Sequence, residues 1–240
     1  GARHNEDAYL VHDGLGLYVV ADGASEGPAG EIAARIAVEA LEDFVRRAGR
    51  PSLKFVFRSF PSKRFAFDAV SFALERVLAQ ARSSRELDGM RTTVTMLLVH
   101  EGHAVAGHIG DSRLYLLRGQ ETYLLTDDHD LTTGPENPSA RAPVQCFAID
   151  TQEEDCFVLC TDGVGSVISD PAVRSRIAYG HPRDAAARIV AAARRLDPER
   201  DATVVVVRFL TDDDSGWLLL SEPVWPWAYG HTLEYSEAQG

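Results

Sequence analysis

The sequence is poor in cysteine, has no long apolar run and carries no excess of basic residues. Its three cysteines, Cys146, Cys156 and Cys160, are odd in number and lack paired C-x-x-C spacing. That usage excludes a disulfide framework and a cysteine-zinc site. Cys156 and Cys160 would share one face of a strand but stand roughly 13 Å apart at ~3.3 Å per residue, too far to bond. All three read as small core residues in a reducing cytoplasm. No stretch approaches the roughly 18–20 apolar residues of a membrane span, and no basic-then-apolar leader opens the chain. A soluble, cytoplasmic protein is expected. Lys and Arg number 24 against 36 Asp and Glu, a formal charge of −12. Such a balance argues against nucleic acid as the main partner. Internal repeats and low-complexity segments are also lacking.

What is there fits one sizeable core. The chain has 240 residues, 45% hydrophobic and 25% charged, as expected of a globular protein. Strands are expected at residues 8–12 and 17–21, joined at Asp13-Gly14, a hairpin signal. A helix begins near Pro28, with Ile32, Ile36, Ala40, Leu41, Phe44 and Val45 on one stripe. Residues 50–65 interleave Lys54, Arg58, Lys63 and Arg64 with Phe55, Phe57, Phe60 and Phe65. They read as a surface connection with its aromatics turned inward, and RNA or a phosphopeptide is the other reading of the pattern. A second helix places Phe67, Val70, Leu74, Val77, Leu78 and Ala81 on one face. Strands at 92–100, 103–109, 113–117 and 122–125 suggest an antiparallel meander. Two more follow at 144–149 and 155–160, then a helix at 182–196 carrying Ala186, Ile189, Val190, Ala193 and Leu196. The β-branched run 203–207 is a buried strand. The element order predicts an α+β layered domain.

Acidic residues stand where the hydrophobic runs begin or stop. Asn5-Glu6-Asp7 precedes the first strand and Asp22-Gly23 ends the second. Asp162-Gly163 follows Val158-Leu159-Cys160-Thr161, and Asp201 precedes the run beginning at Thr203. An unpaired carboxylate in a core costs many kcal/mol, so carboxylates delivered by separate strand ends suggest a site for hard divalent cations. Two such ions about 3.5–4 Å apart clamp an in-line displacement and turn a shared water into hydroxide. A carbonyl beside a glycine completes a shell, and each glycine is expected to let the chain turn after its ligand.

The ordered set Arg3-His4-Asn5-Glu6-Asp7, Val20-Ala21-Asp22-Gly23, Gly30-Glu31, Thr92-Thr93-Val94-Thr95, Gly110-Asp111-Ser112-Arg113, Cys160-Thr161-Asp162-Gly163 and Asp201-Ala202-Thr203 resembles the metal-dependent protein serine/threonine phosphatases, the type-2C class, in bacterial form. The resemblance implies a four-layer α-β-β-α sandwich over residues 1–210. It further implies an enzyme, a phosphoprotein phosphatase, in which a water bridging two Mn²⁺ or Mg²⁺ ions attacks phosphoserine or phosphothreonine. Carried over by motif, Asp22 bridges both metals and the Gly23 carbonyl binds one. Asp162 and Asp201 ligate the other, Glu6 holds a metal-bound water, and Asp7 supports the site from behind. Arg3 clamps the phosphate as a planar fork. Asp111 matches a position linked to a third, weaker metal, with a turn residue as the plain alternative. The implied partner is a phosphorylated protein, in opposition to a Ser/Thr kinase.

Several residues depart from that pattern. Arg3 sits three residues before Glu6, where four is usual. Ala24-Ser25-Glu26-Gly27 replaces Met-Gly-Gly-His and so removes a histidine, leaving His4 as a candidate proton donor. Ser166 stands where the family has the partner Asp of a third metal. The last motif reads Asp-Ala rather than Asp-Asn, which retains the ligand. The flap near 127–143 is short, and the strand that normally precedes the first motif is expected upstream of Gly1. Residues 211–240, with Trp217, Trp225 and Trp227, form an extension that packs on the domain or docks a partner; Trp217–Leu220 could add a strand. The altered loop, Ser166 and the tail also permit an alternative, a weakly active or inactive phosphatase-like regulatory domain.

Overall fold

The computed structural model describes residues 5–24, 29–48, 62–100, 102–131, 144–177, 181–212 and 216–224, the stretch from 210 onward by its backbone alone. Eleven strands among them form two antiparallel sheets. Sheet one orders β1 (Asp7–His12), β2 (Leu17–Ala24), β4 (Val94–His100), β5 (His103–Ile109) and β8 (Gln145–Asp150), with the short β3 (Arg91–Thr92) beside β2. Sheet two orders β11 (Gly216–Val224), β10 (Val204–Asp212), β9 (Cys156–Cys160), β6 (Arg113–Arg118) and β7 (Glu121–Leu124).

The sheets face each other across Tyr18, Val20, Leu97, Leu114, Phe157, Leu159, Val205 and Val207. Helices α1 (Ala29–Ala48) and α2 (Lys63–Ala81) cover the outside of sheet one. On sheet two the cover comes from α3 (Asp162–Gly165), α4 (Asp170–Ile177) and α5 (Pro182–Leu196). This is the α-β-β-α sandwich. Its double covering explains why Leu17–Ala21 and Val204–Val207 read as unbroken apolar runs rather than alternating ones: both faces of each strand are buried,.

Residues 92–125 are not one meander. The chain leaves sheet one at Ile109 and enters sheet two at Arg113, and Gly110, at φ +107, makes the crossing in a conformation that side chains disfavour. The buried faces of α1 and α2 only partly coincide with the expected stripes, while α5 departs from its expected face only at Leu196. In α1 the buried face is Ala29, Ala33, Ala34, Ala37, Ala40, Leu41, Val45 and Ala48, while Ile32, Ile36 and Phe44 are only partly buried. Small residues allow close approach, and the Phe44 ring lies 5.3 Å from Phe65 and 5.5 Å from Phe72 on α2. Leu78 and Leu196 are 51% and 65% exposed rather than in the core.

Helix α2 already begins at Lys63, its first turn capped by the Ser62 side chain accepting from the Phe65 amide,; residues 49–61 of the aromatic-basic stretch lie outside the described residues. Strand β10 runs past residue 210, and the Trp217–Leu220 backbone joins it as part of β11. Cys146, Cys156 and Cys160 are all free, and the latter two are buried.

At one end of the sandwich an ion pair ties the sheets together. Asp155, fully buried, accepts from Arg118 Nε at 2.8 Å and Nη2 at 2.7 Å, and from the Gln152 amide at 2.8 Å. The same guanidinium donates to the Asp150 carbonyl at the end of β8. Removing the arginine strands a buried carboxylate, so Arg118→Ala is expected to lower the unfolding free energy by about 3 kcal/mol, read by urea denaturation. Arg118→Ala combined with Asp155→Asn should lose less, and a single-variant loss near zero would remove the clamp from the account.

Candidate metal centre

The opposite end collects the acidic motifs, and the strand registers explain why. Asp7 pairs with Asp22, Val94 with Ile109, and Cys160 with both Arg113 and Val204. Asp111 lies between the paired Ile109 and Arg113, Asp162 follows Cys160, and Asp201 precedes Val204. Antiparallel pairing therefore brings residues far apart in sequence to one edge of both sheets.

Asp7, Asp22 and Asp201 are each held by specific hydrogen bonds. The Asp22 amide donates to Thr93 Oγ1 at 2.9 Å, and the Thr93 amide returns a bond to the Asp22 carbonyl at 2.8 Å. Thr92 Oγ1 donates to the same carbonyl, and Thr93 Oγ1 meets Ser112 Oγ at 2.8 Å. Asp7, only 2% exposed, accepts from Thr161 Oγ1 at 2.8 Å. Thr161 Oγ1 in turn accepts from the Thr203 amide. Asp201 Oδ2 accepts from the Glu6 amide at 3.0 Å. Asp7 and Glu6, at the head of sheet one, are thus fastened to sheet two.

The glycines of the Asp-Gly pairs do not make turns. Neither Gly23 nor Gly163 is among the positive-φ glycines. Both serve close approach: a Cβ on Gly23 would stand 2.0 Å from the Gly30 carbonyl oxygen, and one on Gly163 would meet the Asp201 carbonyl oxygen. Gly30 likewise leaves room for the Glu6 carboxylate, which a Cβ would approach to 2.7–2.9 Å.

Crowding raises the proton affinity of the carboxylates. Burial first, then Asp7 and Asp162, push Asp22 from 3.8 up to about 9. Burial lifts Asp7 to about 7, with Asp201 and Asp162 adding to it against the bond from Thr161. Asp111, at the exposed rim, is raised by desolvation and by Asp162. Asp22, Asp111 and Asp162 share a cavity of about 180 Å³ with Thr93, Arg91 and His129.

Three arrangements at this end were not assigned from the sequence. Arg200 Nη1 donates to Asp162 Oδ2 at 2.5 Å and to Ser166 Oγ at 3.2 Å, so the guanidinium reaches the serine that replaces the expected carboxylate. Arg113 forks onto Asp128 at 3.0 and 2.8 Å and also reaches the Gly165 carbonyl. His108, fully buried, meets Thr95 Oγ1 at 2.8 Å and stacks on His129 at 5.2 Å. Burial and His129 push His108 down to about 4. Thr95 and Arg113 stood within motifs, yet hydrogen-bond partners cannot be read from adjacency alone. Arg3, His4 and residues 25–28 lie outside the described residues, as do residues 132–143 of the flap.

Among the described residues no three His, Cys, Asp or Glu side chains form a ready-made coordination group. Protein donors hold one oxygen each of Asp162 and Asp201. The raised Asp22 and Asp7 show the same carboxylates to be close and under-neutralised, and this electrostatic convergence is the property that bears on cation binding.

A family model described as protein phosphatase 2C matches residues 2–209. The serine/threonine phosphatase stp of Listeria welshimeri is 26% identical over 194 residues, 70% of this chain and 75% of that protein. The crystal structure of the serine/threonine phosphatase PstP/Ppp of Mycobacterium tuberculosis is similar with a TM-score of 0.70 and 26% identity, covering 86% of this chain and 92% of that one. The catalytic domain of PstP in complex with two manganese ions gives 0.71 at 23% identity, covering 92% of each chain. The family match runs from the first acidic motif into β10, over the two sheets whose ends carry these carboxylates, and the chain belongs to the protein phosphatase 2C family.

Proposed function

We propose that the acidic end is a two-cation centre that hydrolyses phosphoserine and phosphothreonine in proteins. The observation that carries this reading is the burial of Asp7 and Asp22 beside Asp162, Asp201 and Asp111 with too few donors to neutralise them. Hard divalent cations fit this set, because every candidate ligand is an oxygen. Asp7 Oδ1 supports the fit: it is buried and has no hydrogen-bond partner. Asp22, the Gly23 carbonyl, Asp162 and Asp201 would be the residues that hold the cations. Glu6 acts through a water, Asp7 restrains the cluster from behind, and Asp111 offers a weaker third position. Bound cations would supply charge neutralisation at the phosphoryl group and lower the pKa of a water between them.

The chain's own residues do the positioning. Thr92 and Thr93 fix the Asp22 backbone, and Thr161 fixes Asp7. Arg200 donates to Asp162 Oδ2, which leaves the remaining lone pairs of that carboxylate for a cation,. Arg3 is the phosphate clamp. Manganese or magnesium is the expected ion, manganese having the support of the PstP catalytic domain. Unpaired thiols support a reducing, cytoplasmic setting,, and an opposing Ser/Thr kinase completes the proposal. One observation favours the second reading, a weakly active regulatory domain: Arg200 already occupies Asp162.

Phosphate release from p-nitrophenyl phosphate and a phosphothreonine peptide, with Mn²⁺ and with chelator, separates the two readings. Metal-dependent release supports the enzyme; a folded protein without it supports the regulatory domain. Asp162→Ala should cut kcat by about a thousandfold or more, given the several kcal/mol a catalytic metal supplies, whereas Arg3→Ala should mainly raise KM. Wild-type turnover in Asp162→Ala would sink the assignment.

A linked prediction concerns pH. Asp22 and Asp7 bind protons in the metal-free fold up to about 9 and about 7, against an ordinary 3.8. The folded state then holds more protons than the unfolded chain between those limits, so its stability falls as pH rises. Cations compete with those protons and stabilise the fold by mass action. Thermal unfolding should show the metal-free Tm falling from pH 5 to pH 8, and the gain on adding Mn²⁺ widening over the same range. A gain that shrinks with pH would contradict the raised carboxylates.

A further inference from the structure

Among the described residues three arginines approach the acidic end, and the side chains of two of them are committed. Arg200 holds Asp162 and Ser166. Arg113 holds Asp128 through two bonds and the Gly165 carbonyl through a third. The third, Arg91, is exposed and makes no hydrogen bond or ion pair with the described residues. It nevertheless lines the same cavity as Asp22, Asp111 and Asp162.

Its backbone is well anchored. Strand β3 pairs with the end of β2, Thr92 opposite Gly23 and Arg91 opposite Ala24. The neighbouring Thr92 hydroxyl donates to the Asp22 carbonyl. The guanidinium is therefore carried by the segment that orients Asp22, one residue from that contact. A partnerless arginine gains nothing for folding from this position, since exposed ion pairs contribute little even when formed.

We propose that Arg91 is a substrate-binding residue that receives outer oxygens of the phosphoryl group. This rests on the two-cation phosphatase reading of the cavity. A phosphoryl dianion entering this cavity passes Asp111, the exposed carboxylate at its rim, and a guanidinium on the wall offsets that repulsion and adds donors for outer oxygens,. The planar fork of arginine matches two phosphoryl oxygens, which a lysine point charge does not. Arg91 acts from the side of the cavity formed by β3, in addition to the clamp proposed for Arg3.

The test uses the Mn²⁺-loaded full chain and its Arg91→Ala and Arg91→Lys variants. Kinetics on p-nitrophenyl phosphate and on a phosphothreonine peptide would be combined with inhibition by inorganic phosphate. Arg91→Ala should raise KM for both substrates and Ki for phosphate together by about tenfold, the size of one charged hydrogen bond. Its kcat should stay within about twofold of wild type, and Arg91→Lys should fall between the two. An unchanged Ki for phosphate overturns the proposal, as does a fall in kcat with KM unchanged. So does a rise in KM confined to the peptide, which would assign Arg91 to flanking residues. Wild-type protein without metal-dependent turnover would instead refute the underlying phosphatase reading, so the two failures are distinct.

Discussion

Like-charge crowding at one edge of the sandwich is the constraint on which the rest depends. Five aspartates converge there, and Asp22 is raised by burial before any neighbour is considered. A fold that placed them together without rigid support would relax by splaying the strand ends into water. Short hydrogen bonds prevent that escape. Thr161 joins Asp7 to β9 and β10, the Glu6 amide joins Asp201, and Thr92 with Thr93 lock Asp22 to β3 and β4. Repulsion is thereby stored in a form that a divalent cation can release.

The two ends of the sandwich divide the work between stability and chemistry. At the far end, Asp155 is buried with a full complement of donors from Arg118 and the Gln152 amide. At the near end, Asp7 is as deeply buried but keeps one oxygen without a partner. Both ends carry buried carboxylates, and what separates them is satisfaction. A satisfied carboxylate holds sheets together, and an unsatisfied one awaits a ligand.

The layered fold and the acidic motifs were legible in the sequence because strand ends and their carboxylates are local features. The helix at 182–196 and the β-branched run of β10 were legible for the same reason. The division into two sheets was not. Strands β4 to β7 follow one another at hairpin spacing, and only the tertiary pairing reveals that Gly110 carries the chain across. The faces of α1 and α2 were only partly legible, with Ala40, Leu41, Val45, Val70, Val77 and Ala81 buried as expected, because large aliphatic residues outweigh alanine in any apolar count. Close helix packing on β2 instead selects the smallest side chains. Gly23 and Gly163 looked like turn residues, yet their cause lies in backbone atoms of residues 30 and 201, remote in sequence. At the candidate site the carboxylates were visible and their supports were not, since a hydroxyl such as Thr161 gains meaning only from the atom opposite it.

The floor and the rim of the cavity consequently answer to different parts of the chain. The floor is made of strand ends, fixed by backbone register and by threonines buried between the sheets. The rim is made of long charged side chains from β3, from Arg200 before β10, and from the segment after β7. Substitution of Asp7 or Asp201 disturbs two sheets at once, because each of these is bonded across the sandwich. Substitution of a rim residue leaves the pairing intact and changes only the charge that a substrate meets. Replacing a carboxylate by Ser166 belongs to the second kind. Ser166 shares Arg200 with Asp162 and takes no part in strand pairing, so the charge presented at the rim is set apart from the register that builds the sandwich.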